Sequence, residues 1–344
     1  MTDRWFSIAL LGVAILGTTP SFGQSAPKDD KSWTMPRTPD GRPDLQGIWT
    51  NKTITPLERP VALGEKAFFT PEEAKAYTTS TLERNDKDKR GGGVRDVLNA
   101  YNAFWWDSGT KVLRNMRTSI ITDPPNGRIP PLTAHRQAQL EEAAEAVKVR
   151  CQRPGCAITN GGQPGPADKA EDLDLMTRCI SFGTVVPMLP SAYNNDYQIV
   201  QGPGVVAIDT EMVHEVRRIP TDGSPHLPPT VREWIGDPRG HWEGDTLVVD
   251  STNFKSEMRV RGADENLHLI ERFTRVGPDT LLYQFTVDDP TAFTKPWSGE
   301  IPMAKTDDLL YEYACHEGNI GMKDIIVAAK ADEKKAAASA TGNK

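Results

Sequence analysis

The chain has 344 residues and carries 47 acidic and 40 basic side chains, for a formal net charge of −7. This acidity argues against a general nucleic-acid binder. After the N-terminal segment, no stretch approaches the about 18 continuous apolar residues of a membrane-spanning helix, so we expect no membrane association once that segment is removed.

The N-terminus is typical of a secretory signal peptide. Arg4 precedes an apolar run at residues 6–16 that is too short to cross a bilayer, and Pro20 follows it. Small residues at Ser21 and Gly23 predict cleavage after residue 23. The pattern predicts a periplasmic or secreted protein; the alternative is an uncleaved anchor.

The first half of the mature chain has few strand patterns. Residues 24–44 are rich in proline and polar residues and predict an extended lead-in. Residues 45–190 predict a helical and irregular region packed on a β domain. Its clearest helices are expected at 70–85, with Thr70 as N-cap and Glu73 in the capping-box position, and at 134–150.

Residues 191–330 show short runs of alternating pattern separated by turn residues, which is typical of an antiparallel meander. We expect a mainly β fold, a lipocalin-like barrel or strongly curved sheet, with a two-sheet sandwich as the alternative. Residues 331–344 predict a disordered tail. The predicted strands are 196–201, 204–219, 246–254, 266–276, 280–288, 297–303 and 309–316.

The four cysteines of an exported protein favour disulfides over reduced thiols. Three pairings are open. A turn-like segment separates Cys151 from Cys156, so we prefer that pair, which leaves Cys179 to bond with Cys315. A four-cysteine zinc site is the rival, although the CxxC spacing is missing.

Strand alternation places two titratable side chains among apolar neighbours. His214 shares a face with Ile208 in the run 204–219, and Glu271 shares a face with Phe273. Such a pair predicts general acid–base chemistry. The structural alternatives are a satisfied core histidine and an ion pair between Glu271 and an arginine.

Two further side chains are assigned assisting roles. Tyr283 lies on the larger apolar face of its strand and is a candidate acid or hydrogen-bond donor. His316 is the second candidate, but its strand could take either phase. Glu312 would accompany His316 into the interior in one phase and face outward in the other.

Ligand contacts are expected where loops and strand ends meet at the barrel entrance. Candidates from the polar run 191–197 are Tyr193, Asn194 and Asn195, and further candidates are Trp242, His268 and Glu312. His226, His241 and Trp234 belong to neighbouring turn-rich loops. A metal held by His214, His268 and His316 is a minority hypothesis. Nucleotide-binding motifs are missing, so we expect no cofactor.

Several long motifs together resemble a family of secreted bacterial proteins usually labelled hypothetical. These motifs are TPDGRPDLQGIW (38–49), HWEGDTLVVDSTNF (241–254), ENLHLIERFTRV (265–276) and YEYACHEGN (311–319). The resemblance covers most of the mature chain. It implies export and a shared fold.

Taken together, the sequence predicts an exported enzyme with a barrel cavity. In it, His214 and Glu271 would act as base and acid on a small organic or sugar-derived molecule, as a lyase, isomerase or hydrolase. The alternatives are a non-catalytic carrier of a small apolar ligand and a metal-dependent hydrolase. The carrier and the enzyme differ in whether His214 and Glu271 converge on a common point.

Overall fold

The computed structural model describes residues 33–86, 88–89, 106–158, 164–183, 186–258 and 260–342. The predicted signal peptide and the start of the lead-in lie outside these ranges. None of the helices in these ranges combines the length and the apolar character that a membrane span requires.

Three α-helices occur in the described residues: α1 (Pro71–Asn85), α2 (Ala134–Arg150) and α3 (Ile320–Gly342). Helix α1 begins with the expected capping box, in which Thr70 and Glu73 satisfy each other's backbone N–H groups. Helix α3 includes most of the tail that we expected to be disordered. Its residue Ala329 is buried against Ala167 and Leu173, so the helix has a packed face that composition did not reveal.

The main sheet is antiparallel and barrel-like, which confirms the predicted fold class. Its strand order is β7-β6-β5-β1-β12-β11-β10-β9-β8, and β2 pairs with β12 off this path. β3 and β4 form a separate hairpin. The strands are β1 (Gly47–Thr50), β2 (Ile121–Asp123), β3 (Cys156–Ile158), β4 (Pro164–Pro166), β5 (Asp196–Gly202), β6 (Val205–Thr210), β7 (Glu215–Pro220), β8 (Asp237–Glu243), β9 (Thr246–Thr252), β10 (His268–Gly277), β11 (Thr280–Asp288) and β12 (Trp297–Thr306).

The sheet curls until its two end strands, β7 and β8, lie side by side. We call the line between them the seam. A Cβ atom on Gly240 of β8 would lie 2.9 Å from the Ile219 side chain and 2.7 Å from that of Thr221, so the missing side chain permits this approach. Pro238 lies in β8, as expected of a strand that ends a sheet.

The predicted strands near β5 and β9–β12 are confirmed, whereas three other expectations differ. Residues 204–219 form two strands, β6 and β7, joined by a turn. Residues 309–316 contain no strand, and β8 forms in a segment that we interpreted as a turn-rich loop. Because β1 lies between β5 and β12, the predicted boundary at residue 191 divides the sheet.

The barrel interior is filled with side chains. Aromatic rings from three neighbouring strands form a chain in it: Phe273 contacts Tyr283, Tyr283 contacts Phe285, and Phe285 contacts Trp297, with centroids 5.1–5.7 Å apart. The Phe285 ring packs directly against Gly299, because a Cβ atom on Gly299 would lie only 2.5 Å from the ring. Such packing leaves an interior like that of a small closed barrel.

Both preferred disulfides are confirmed. Cys151 is bonded to Cys156, and Cys179 to Cys315. The second bond spans 136 positions of sequence and holds the segment after β12 against the segment before β5.

Candidate functional site

Glu271 lies inside the barrel as predicted, but it has a structural partner there. Arg217 of β7 donates from Nη1 to Glu271 Oε1 at 3.0 Å and from Nη2 to Oε2. Tyr283 donates from its hydroxyl to Glu271 Oε1 at 2.8 Å. Burial raises the pKa of Tyr283, and the Glu271 charge raises it further, so Tyr283 remains a neutral donor.

The interior polar group is closed off from solvent. Glu271, Arg217 and Tyr283 have no exposed surface. Residues 186–189, which we call the plug, cover one end of the barrel. Met188 donates its backbone N–H to the Tyr283 hydroxyl at 3.0 Å, and Asn51 donates to the Met188 carbonyl at 3.1 Å. A substrate therefore has no direct access to Glu271, and the predicted barrel cavity is not seen at this position.

The prediction that His214 faces the interior is wrong. The backbone at Val213 and His214 adopts the left-handed region, with φ 54° at both residues. This turn shifts the alternation by one position, so Arg217 points inward while Val216 is 54% exposed. His214 is exposed and Glu271 is fully buried, so the two do not form an acid–base pair.

The other predicted residues are spread over the molecule. His316 lies in a loop, where its Nε2 contacts the Cys179 carbonyl oxygen at 2.8 Å, and Glu312 is exposed in the same loop. Trp242 lies near the end of the barrel opposite the plug, beside Arg42. These residues do not converge with Glu271.

A charged group lies at the plugged end, which we call the mouth, where β1 ends, β5 begins and β6 ends. Lys52 Nζ is 2.8 Å from Asp107 Oδ2 and 3.4 Å from Asp196 Oδ2. Asp196 donates its backbone N–H to Glu211 Oε2 at 3.4 Å. Asp196 is 3% exposed and Glu211 is 7% exposed. We call these two acids the carboxyl pair.

The mouth perturbs the protonation of both acids. Burial raises the pKa of Glu211, and the neighbouring Asp196 charge raises it further. Burial also raises the pKa of Asp196, against the hydrogen bond from Thr50 and the charge of Lys52. Burial alone would lower the Lys52 pKa, but Asp107 and Asp196 together raise it. Two carboxyls and a charged amine therefore share one poorly solvated site.

Three predicted ligand residues flank the carboxyl pair. Asn194 hydrogen-bonds to Glu211, and Tyr193 hydrogen-bonds to Tyr313. Burial raises the pKa of Tyr193. Asn195 is buried, accepts from Ser191 N at 2.7 Å and donates to the Asp107 carbonyl at 2.8 Å. Asn195 therefore fixes the backbone of the mouth, while Tyr193 and Asn194 remain candidates for ligand contact.

A cleft of about 380 Å³ is lined by chain neighbours of this group, but not by its charged side chains themselves. It shares three chain segments with the mouth: Thr53 follows Lys52, Trp106 and Ser108 flank Asp107, and Ser191 lies five residues before Asp196. Its volume is within the range of roughly 300–1,000 Å³ that small-molecule sites have. The remaining lining residues are Ile54, Thr55, Pro56, Leu57, Asn85, Ile120, Leu189, Pro190, Ala192 and Arg261.

His268 lies on the outer face of the barrel in a second polar group. Its Nε2 is 2.9 Å from Asp250 Oδ2. His226 Nε2 is 3.2 Å from Asp250 Oδ1, and its Nδ1 is 3.0 Å from Asp237 Oδ2. These contacts attach the 221–236 connection to β8 and β9.

Within the part of the chain that the structure describes, no group of three or more His, Cys, Asp or Glu side chains is arranged to hold a metal ion. The proposed ligands His214, His268 and His316 lie in a turn, a strand and a loop, respectively. The metal hypothesis has no support from these positions.

Sequence reasoning missed Lys52, Asp196 and Glu211 as a group. The run 204–219 was predicted to be one strand with His214 facing the interior, which would put Glu211 on the opposite, outer face. The turn at 211–214 interrupts that strand. The available signal was the polar run 191–197, which contains Asp196. No protein-family model matches the chain, and no curated protein matches it.

Proposed function

We propose that the protein is an acid–base enzyme that acts on a small organic or sugar-derived molecule, with the carboxyl pair at the mouth as its catalytic group. The observation that carries this proposal is the close placement of Asp196 and Glu211, both shielded from water and both with raised pKa. Carboxyls of this kind are concentrated at catalytic sites.

The two acids have different surroundings, which assigns their roles. Lys52 and Thr50 stabilise a charged Asp196, whereas the Asp196 charge favours the protonated form of Glu211. Glu211 therefore acts as the general acid and Asp196 as the general base or charge-stabilising group. Because the Asp196 charge raises the Glu211 pKa, protonation of Asp196 should change the titration of Glu211.

The substrate would bind with its body in the cleft and its reacting group extended toward the carboxyl pair, which does not line the cleft itself. The partly exposed Ile54 and Leu57 can pack against its body, and the hydroxyls of Ser108 and Ser191 can orient its polar groups. This arrangement suits a lyase, isomerase or hydrolase that needs no cofactor, because proton transfer between positioned carboxyls is sufficient for such reactions. Export to the periplasm or exterior belongs to the same proposal and is supported by the two disulfides.

Carbon-13 NMR titration of the side-chain carboxyls tests the site without a known substrate. We expect resonances of Asp196 and Glu211 to titrate above their ordinary values and to be coupled, such that Asp196→Asn lowers the Glu211 pKa. Titration of both acids at ordinary values, with no coupling, contradicts the proposal. The second arm is a panel of aryl esters, glycosides and hydroxy acids, on which Glu211→Gln should lower kcat at least about 100-fold.

A carrier function is the alternative, and the cleft itself favours it, since it could retain a ligand without chemistry. In that case Glu211→Gln leaves ligand affinity intact and no member of the panel is turned over by the wild-type protein.

A further inference from the structure

Among the described residues that line the cleft, Arg261 is the one charged side chain, and none is a carboxylate. Arg261 is exposed, and no described residue forms an ion pair or hydrogen bond with its guanidinium. A guanidinium offers five donors in a planar fork that matches a carboxylate. The charge in the cleft is thus available for a ligand.

The backbone at Arg261 is held in an unfavourable conformation. Its φ is 55°, in the left-handed region that glycine or asparagine usually occupies. Val260 and Ala263 exchange backbone hydrogen bonds at 3.0 and 3.1 Å, which makes 260–263 a tight turn with Arg261 at its corner. A residue that fits the turn poorly but supplies a charge to a cleft indicates a role outside stability.

The turn is also firmly anchored. Arg136 donates from Nε to the Gly262 carbonyl at 2.7 Å and pairs through Nη1 with Asp264 at 2.7 Å. Val260 and Ala263 are buried. The corner that presents Arg261 is therefore pre-organised, which lowers the entropic cost of holding a ligand.

We propose that the cleft binds an organic anion, a small carboxylate with an apolar or aromatic body, and that Arg261 selects for its negative charge. The Arg261 guanidinium binds the carboxylate, while the partly exposed Trp106, Ile54 and Leu57 contact the body. The inference rests on the proposed function in one respect: the bound anion is the substrate of the carboxyl pair.

Two probes of the same shape test the charge preference. Binding of 2-naphthoate and of the neutral 2-naphthamide is measured by calorimetry on the full mature chain. We expect the wild-type protein to bind 2-naphthoate about tenfold or more tightly than the amide, as one charge-assisted bidentate contact provides. Arg261→Gln should abolish this preference, whereas Arg218→Gln, which removes an exposed arginine from β7, should preserve it.

Arg261→Gly separates selection from stability. Glycine relieves the left-handed strain, so this variant should melt about 2 °C higher than the wild type while losing the preference for 2-naphthoate. Equal affinity of the wild type for both probes, retention of the preference in Arg261→Gln, or no binding of either probe at millimolar concentration overturns the proposal.

Failure of this inference and failure of the proposed function are distinguishable. Glu211→Gln should keep its preference for 2-naphthoate, because Glu211 does not line the cleft. Loss of the charge preference with normal coupled titration of the carboxyl pair rejects only the anion site. A retained charge preference, with Asp196 and Glu211 titrating at ordinary values and without coupling, rejects only the catalytic role of the pair.

Discussion

At the scale of single residues, two of the buried acids, Glu271 and Asp196, have different partners. Glu271 is matched by Arg217 and Tyr283, which satisfy its charge. Asp196 has one oxygen near Lys52, while its Oδ1 is buried without a hydrogen-bond partner among the described residues. The first arrangement stabilises a structure, and the second leaves bonding capacity for chemistry.

The Glu271 pair yields a stability prediction. Glu271→Leu leaves the Arg217 charge buried without a partner and should lower the free energy of unfolding by about 3–5 kcal/mol. The double variant Arg217→Met/Glu271→Leu should recover most of that loss, as urea unfolding would show. A single variant of normal stability that loses only turnover would instead assign Glu271 a catalytic role.

Glu211 should make the stability of the folded protein depend on pH. Its folded-state pKa is raised, so the ionised form destabilises the folded protein above that pKa, and the penalty disappears below the unfolded-state pKa. As pH falls from 8 to 4, the wild type should gain stability relative to Glu211→Gln. Unfolding free energies at several pH values measure this, with the exposed Glu312→Gln as control. Parallel curves for wild type and Glu211→Gln contradict the assignment.

At the scale of elements, the turn between β6 and β7 determines which side chains reach the interior. Sequence alternation places Leu269, Glu271 and Phe273 correctly, because β10 is regular over those positions. It fails after Thr210, because a β-branched residue in the left-handed region cannot be foreseen from its own propensity. This one irregular turn is therefore the reason that the predicted site, with His214 inside the barrel, differs from the site at the mouth.

This turn can be tested through its strain. Val213→Gly should raise the free energy of unfolding by about 0.5–1 kcal/mol, since glycine adopts φ 54° without the steric penalty of valine. Val216→Gly is the matched control three positions later in β7, and should lower stability by about 0.5–1 kcal/mol. Thermal unfolding compares the two; a stabilising effect at both positions would exclude strain at Val213 as the cause.

At the scale of the whole molecule, the sequence predicted the meander and the disulfides but not the central place of β1. Local alternation identifies strands, whereas the order of strands depends on pairing between distant segments, such as Trp49 with Tyr197 and Lys305. The mouth is a product of that pairing, since Lys52 and Asp196 are distant in sequence. It was therefore not predictable from local pattern.

The two disulfides enclose loops of very different length, so they should contribute different amounts to the free energy of unfolding. In the chain-entropy model, Cys179→Ser/Cys315→Ser should cost about 5 kcal/mol and Cys151→Ser/Cys156→Ser about 2 kcal/mol, for separations of 136 and 5. Guanidinium unfolding of both double variants measures the difference. Equal losses would show that loop closure in the unfolded chain is not the source of stabilisation.

The seam between β7 and β8 is where we expect the barrel to unfold locally first. Strands β10 and β11 are paired on both sides, whereas β7 and β8 end the hydrogen-bonded order. Their outer amides should exchange with deuterium sooner than those of β11, through local rather than global unfolding. The contact between β7 and β8 covers the two strand edges that could otherwise pair with other chains. The barrel would thus loosen from one edge inward, with the plugged interior the last part to admit water.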